Sequence, residues 1–528
     1  MDPTAAIELV LLLLAIATAL AFVAKRIRVA YPIVLVLGGL ALGLVLSALP
    51  EPPSVELPPS LVFLLFLPPI LFGAAYFTPI RDFKANLRPI GLLAVGLVLF
   101  STLVVGGVAF ALMPELGAAA FALGAIVAPP DAVAATAIFR RLGVAPRIVT
   151  ILEGESLVND ATALILYRAA LVAIAGSFSV VGAGAEFVLV AVGGIAVGVV
   201  VGLGLSAIWR RVSDSTLEIV ISLLAPFAAY LPAEAIHVSG VLAVVTAGLI
   251  AGRRGARVLS PNARLMGTGV WSVVLFMING FAFLLIGVQL PSILDALTAY
   301  PPVELIGLGL AISLTVIVAR IVWVFPATYV PRWLSPKIRA RDPSPPPGAV
   351  FVISWAGMRG VVSLAAALSL PIDVPDRPLL IYLTLCVILA TLVGQGLTLP
   401  LIVKRLGVVS GTGLELESRV AREAATDAAR ERLDGLATEY PDHLELVDNL
   451  RAELEHEATH AAEAAEAADD GDLDAAAQER LEHQEIRLAV VAAQRDAVIR
   501  LRDDGVIGDD ALRLIERDLD LEAVRAGA

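Results

Sequence analysis

Residues 153–161 read Glu-Gly-Glu-Ser-Leu-Val-Asn-Asp-Ala, the densest polar cluster inside an otherwise apolar stretch. At 100° per residue, Glu155, Ser156, Asn159 and Asp160 share an arc of roughly 140° on one helix. Carboxylate, hydroxyl and amide oxygens are hard donors suited to a hard cation. A carboxylate taken out of water favours its protonated form, and a cation beside it favours the ionised form, so a proton and a cation can compete for one group. Asp160 is the best placed of the cluster for that competition.

A second group lies upstream. Ala128-Pro129-Pro130-Asp131 removes two backbone N–H donors, which predicts a helix break that leaves the carbonyls of Ala125 and Ile126 without helical partners. Asp131 then starts a new half-helix whose positive end favours its carboxylate. A third group, Ser354-Trp355-Ala356-Gly357-Met358-Arg359-Gly360, sets flexible glycines around a cation and predicts a second interruption. Arg320 lies deep in another apolar stretch and needs an anion, because a guanidinium keeps its charge. Glu155 is the first choice of partner, with Arg359 the competing cation for the same carboxylate.

The elements that hold these groups must be membrane helices. Of 528 residues, 58% are hydrophobic and 17% charged, which excludes an ordinary globular protein. Thirteen apolar segments of near-spanning length fall near 5–24, 29–49, 59–78, 89–113, 117–139, 149–173, 187–209, 217–231, 236–251, 270–290, 303–326, 348–370 and 379–403. No basic residue precedes the first, and Lys25, Arg26 and Arg28 follow it, so it is expected to be a retained helix rather than a secretory signal. Loops after odd-numbered segments carry 21 Lys and Arg, while loops after even-numbered segments carry only Arg377. That alternation predicts an outside N-terminus and a cytoplasmic C-terminus.

On this reading Asp160 sits roughly 16 Å and Asp131 about 12 Å from the cytoplasmic ends of their helices, both near mid-bilayer. A short connection makes the two helices antiparallel neighbours, so the two carboxylates can approach one ion. The interruptions fall in the fifth segment of a first set of six and the fifth of the set 8–13, with the seventh as spacer. Matched interruptions in two halves point to an inverted-repeat transport site where two broken helices cross.

Residues 1–410 hold 25 Lys and Arg against 19 Asp and Glu, whereas residues 411–528 hold 13 against 31. The chain therefore divides into a membrane domain, 1–410, and an acidic cytoplasmic helical tail, 411–528. The tail has a break at Tyr440-Pro441, a low-complexity Ala/Glu/Asp stretch at 461–477 and a helix, glycine turn and new helix over 501–511. Its acidity argues against nucleic-acid binding. The one cysteine, Cys386, forms no intramolecular disulfide. Other polar residues read as structural: Glu234 and His237 as interfacial at the outer end of the ninth segment, Glu218 as interfacial at the start of the eighth, Asn279 and Gln289 as helix–helix hydrogen bonds, and Arg168 as snorkelling.

The 153–161 run and Trp355-Ala356-Gly357-Met358-Arg359-Gly360 together resemble the monovalent cation:proton antiporter-1 family of sodium/proton antiporters, over about 1–405. The resemblance implies an all-α polytopic membrane protein with thirteen transmembrane helices, inverted repeats, two broken crossing helices, and dimerisation and core subdomains in a homodimer. It implies cation contacts at Asp131, Ser156, Asp160 and the Pro130 carbonyl, and a Glu155–arginine bridge most like one made by Arg320. It also implies that the Asn159-Asp160 pair marks electroneutral exchange. Two features depart from the family pattern. Prolines precede Asp131 rather than following it, and Gly73 stands where many members carry an acid in the third segment.

The expected function is secondary antiport of Na+ for H+ across the cell membrane, one for one, by alternating access, with Asp160 contested by the two ions. No cofactor and no enzymatic reaction are expected, and Na+ is a transported substrate. Li+ or K+ as the carried ion is the nearest alternative, followed by a cation channel or sensor and by an organic-anion carrier.

Overall fold

The computed structural model describes residues 3–49, 62–176, 179–408, 413–455, 473–504, 515 and 518–523. Two compact units emerge, Met1–Ser410 and Gly411–Ala528. In the first, helices α1 (Pro3–Ile27), α2 (Tyr31–Ser47), α3 (Leu67–Phe77) and α4 (Leu87–Leu112) are followed by an interrupted pair, α5a (Ala119–Val127) and α5b (Ala132–Leu142). Then come α6 (Pro146–Ile174), α7 (Val180–Trp209), α8 (Ser215–Ala235), α9 (Gly240–Val258), α10 (Pro261–Val288) and α11 (Pro302–Leu334). A second interrupted pair, α12a (Pro347–Trp355) and α12b (Val361–Leu368), precedes α13 (Arg377–Leu406). Among the described residues there is no strand, and nine helices are long and apolar enough to cross a membrane. The protein is a multi-pass, all-helical membrane protein.

Several helices run past the apolar windows. α7 starts at Val180, α10 at Pro261, and α11 continues to Leu334. Side-chain caps explain two of these starts: the hydroxyl of Ser179 accepts from Gly182 N, and that of Ser260 from Ala263 N. Satisfying those end groups lets a helix persist beyond the hydrocarbon layer. The same device starts α8 at Asp214 and α9 at Ser239.

Packing relies on close backbone approach where no water drives association. α2 lies against α10 so tightly that a Cβ at Gly39 would overlap the carbonyl of Leu284, and one at Gly287 would overlap that of Val36. One buried apolar cluster joins residues of α2, α5a, α5b, α10, α12b and α13, and a second joins α3, α7, α8 and α9. The polar site lies among helices of the first cluster.

Among the described residues three π-helical turns interrupt the α geometry, at Val62–Phe66, Leu92–Leu97 and Ala390–Gln395. Nothing in the hydropathy pattern signals them. The second unit contains α14 (Gly413–Glu439), a 3-10 turn at Pro441–His443 and α15 (Leu473–Asp503). Most of the 461–477 stretch and the glycine turn within 501–511 lie outside the described residues.

Candidate functional site

The site is built where the two interruptions meet. α5a stops at Val127, and Asp131 becomes the N-cap of α5b, its Oδ1 accepting from Val133 N at 2.8 Å. The N–H of Asp131 donates to the carbonyl of Met358 in the other interruption at 2.6 Å. The N–H of Ala132 donates to Ser156 Oγ on α6 at 3.3 Å.

Carbonyls freed at the break receive donors from side chains on other helices. Arg359 Nε donates to the carbonyl of Val127 at 3.0 Å and its Nη2 reaches that of Ala128 at 3.4 Å. Asn159 Nδ2 donates to the carbonyl of Pro130 at 2.8 Å. Pro129 and Pro130 supply no N–H to the carbonyls of Ala125 and Ile126, and the break extends the need for outside donors to Val127, Ala128 and Pro130. The helix ends at Val127, so the N–H groups of Asp131 and Ala132, which would have served Val127 and Ala128, go elsewhere. Unpaired backbone groups in hydrocarbon cost several kcal/mol each, which explains why polar side chains are spent on them.

Arg359 and Arg320 divide the roles that the sequence left open. Arg320, fully buried on α11, clasps Glu155 on α6 through two bonds of 2.5 and 2.9 Å, and a third goes to the Ile353 carbonyl at 3.1 Å. Arg359 has no carboxylate within ion-pair distance among the described residues. It serves carbonyls instead, including that of Gly357. Its own N–H donates to Thr391 Oγ1 at 3.1 Å.

Asp160 is buried on α6, one turn beyond Ser156, whose Oγ receives the Ala132 N–H next to Asp131. Asn159 is fully buried with Oδ1 lacking a partner, so one acceptor beside the break is free. The Pro130 carbonyl already receives the Asn159 amide but keeps a second lone pair. The structure thus gathers Asp131, Ser156, Asn159, Asp160 and the Pro130 carbonyl around the break, with Glu155 and Arg320 one helix turn away. The arrangement offers oxygen ligands and titratable groups, and no built nucleophile or phosphate loop.

Thr391 went unread in the sequence, and Met358 and Gly360, although part of the interruption that the sequence marks, carried no sign of their contacts with Asp131. A Cβ at Gly360 would overlap Asp131 Oδ2. A glycine next to Arg359 could have flagged that close approach, whereas a threonine inside a π turn gives no local signal.

Some structural readings change as well. Glu218 stands in the first turn of α8, as read, but is 2% exposed and accepts from the N–H and hydroxyl of Ser260 at 3.0 and 2.7 Å, tying α8 to the start of α10. Glu234 belongs to the end of α8 rather than to α9, where it pairs with Arg168 at 3.0 Å and caps Gly240 N. Asn279 bonds the Leu275 carbonyl of its own helix, not a neighbour.

Comparison with known proteins follows the same lines. The model of the family described as sodium/hydrogen exchanger, transmembrane, matches residues 10–405. An uncharacterized Na+/H+ exchanger of Mycobacterium tuberculosis is 36% identical over 95% of this chain and 92% of its own length. The Na+/H+ antiporter NhaH of Halobacillus dabanensis is 33% identical over 76% of this chain and 98% of its own. In fold, the chain resembles the sodium proton antiporter MjNhaP1 of Methanocaldococcus jannaschii, with a TM-score of 0.62 at 20% identity, covering 77% of this chain and 99% of that one.

Proposed function

This chain belongs to the transmembrane sodium/hydrogen exchanger family, and on that premise we propose that it exchanges one Na+ for one H+ at the meeting of α5 and α12, with Asp160 as the contested carboxylate. The observation that carries this reading is the hydrogen-bonded junction of the break with α6, where Ser156 Oγ receives the N–H beside Asp131 and Asn159, next to Asp160, donates to the Pro130 carbonyl, so that carboxylate, hydroxyl and carbonyl oxygens stand together. Removed from water, an ionised carboxylate needs a partner, and either Na+ or a proton supplies one. Only one can do so at a time, so exchange follows once the site opens to each side in turn.

The other groups have positioning roles. Asn159 holds the break through Pro130, Glu155 and Arg320 neutralise each other, and Arg359 caps the end of α5a. The protein acts in this reading as a homodimer in the cell membrane, with thirteen crossings, its N-terminus outside and its C-terminus in the cytoplasm. Alternation of loop charge supports that orientation.

The test is the purified protein in liposomes with an internal pH-sensitive dye, challenged with Na+, Li+ or K+. Saturable proton movement on adding Na+, without accompanying current, supports the antiporter. Conductance without coupled proton movement would overturn it. The K+ and Li+ arms matter because a Bacillus pumilus relative, 33% identical, is named a sodium, potassium, lithium and rubidium/H+ antiporter.

A further inference from the structure

Three arginines from three helix ends converge on one carboxylate that the proposed exchange does not use. Arg88 in the first turn of α4 reaches Asp342 Oδ2 at 2.6 Å, Arg147 in the first turn of α6 reaches Oδ1 at 2.6 Å, and Arg332 in the last turn of α11 reaches Oδ2 at 2.7 Å. Among the described residues no second carboxylate lies within ion-pair distance of any of them. Three guanidinium groups against one carboxylate leave two positive charges uncompensated. Two of the three also stand at helix N-termini, where the helix dipole adds positive potential instead of relieving it. Such an assembly is unfavourable by itself and favourable around a further anion.

A cavity of about 80 Å³ opens beside this cluster, lined by all three arginines. At ~10–15 Å³ per water it has room for about five to eight small heavy atoms, enough for a tetrahedral oxyanion. One donor in the cluster is unused: Arg88 Nη1 is buried and has no hydrogen-bond partner. Apart from Thr328 the remaining wall is apolar, with Leu92, Leu93, Ile151 and Val324 among its residues. A cationic mouth over an apolar floor suits a head group attached to a hydrocarbon stem. The loop charges assign this face to the cytoplasmic leaflet, where anionic lipids concentrate.

We propose that this pocket binds a phosphate group, carried either by an anionic phospholipid or by a free phosphate ion. Guanidinium forks match phosphate oxygens bidentately, and the unused Arg88 donor is the group a phosphate would satisfy first. The ligand would brace the core from below. Ile353, whose carbonyl receives Arg320, lines the same cavity, and Ile151 lies one helix turn before Glu155.

The experiment follows thermal unfolding of the delipidated full chain in neutral detergent, by tryptophan fluorescence, and does not depend on transport. Inorganic phosphate is titrated against chloride at matched ionic strength, and phosphatidylglycerol against phosphatidylcholine. The expected result is a saturable rise in Tm with phosphate, phosphatidylglycerol or both, and none with chloride or phosphatidylcholine. A response to phosphatidylglycerol alone assigns the site to a lipid head group, and a response to phosphate alone assigns it to the free ion. Arg88→Gln should raise the half-saturating concentration about tenfold. Asp342→Asn should lower it, because a competing anion is gone. Should Arg88→Gln fail to fold, Arg147→Gln, altering a half-exposed side chain, replaces it. No ligand-specific shift, or an equal shift in the arginine variants, overturns the proposal.

Discussion

The backbone N–H of Asp131 donates to the carbonyl of Met358 at 2.6 Å, so the first residue past one interruption is held by a residue inside the other. Two helix breaks that share a hydrogen bond, and a guanidinium from one capping carbonyls of the other, form one rigid polar knot. Displacing either break would unmake bonds in both.

Asp160→Asn is expected to abolish Na+-dependent proton movement while leaving the protein folded. The change is nearly isosteric and removes the titratable group. Dye-monitored flux in liposomes, together with the melting profile, checks this, and flux at the native rate would remove Asp160 from the mechanism.

Arg320 and Glu155 should behave as a unit. Removing either alone leaves a buried charge and costs roughly 3–5 kcal/mol, whereas removing both costs less. Thermal unfolding of Arg320→Ala, Glu155→Ala and the double variant should therefore be non-additive. Strict additivity would mean that the pair contributes nothing as a pair.

Gly360→Ala should impair exchange severely, because its Cβ would fall on the Asp131 carboxylate. A cost of about 1–3 kcal/mol in stability is expected from such overpacking. Gly107→Ala on α4 is the control: open space surrounds that position, and alanine should be neutral or stabilising there. Equal loss of flux in both variants would discount the close approach at Gly360.

Transport should be indifferent to membrane voltage. Asn159 takes up no proton, Glu155 is paired with Arg320, and Asp131 is engaged as the N-cap of α5b through Val133 N. Only Asp160 then changes protonation in the cycle. Na+-driven proton flux is compared with and without a valinomycin-clamped potential, and a rate that follows the potential would require a second proton per cycle.

Burial pushes the Asp342 carboxyl up, but its hydrogen bond to Arg147 and the charges of Arg147, Arg332 and Arg88 outweigh this and hold it below its usual value of 3.8. A depressed carboxyl stabilises the fold above that value, and the contribution fades as pH falls below it. Melting temperatures of the native protein and Asp342→Asn should therefore converge as the medium is acidified through that range. A constant gap would deny Asp342 its electrostatic role.

Much of the site could be read from residue types because membranes punish unsatisfied backbone. Pro129 and Pro130 announce a break, and a carboxylate following them announces a cap. The Glu155–Arg320 pairing was legible as a need for neutrality and stood as the first choice, with Arg359 as the competing cation; the fold gives Glu155 to Arg320. Which carbonyls Arg359 would serve depends on where α5a unwinds, and this is set by contacts with α6 and α12 that no local pattern encodes. The burial of Glu218 was hidden for a related reason. An acid near a segment end resembles an interfacial residue, and only the fold brings Ser260 from another helix to bury it. The thirteen apolar stretches all contain helix, yet their ends were misplaced wherever capped helices outrun the hydrocarbon layer.

Arg359 has a consequence for coupling. With Asp131 and Asp160 ionised, the polar knot and its neighbouring pair hold three negative charges, at Asp131, Glu155 and Asp160, against two positive ones at Arg320 and Arg359. One Na+ or one proton brings the sum to zero, and an empty site leaves it at minus one. A net charge carried through a low-dielectric barrier is costly, while a balanced one is cheap. In the proposed cycle the loaded core would therefore cross readily in either direction and the empty core would be held back. That asymmetry suppresses slippage, the wasteful return of an unloaded carrier that would dissipate the ion gradient.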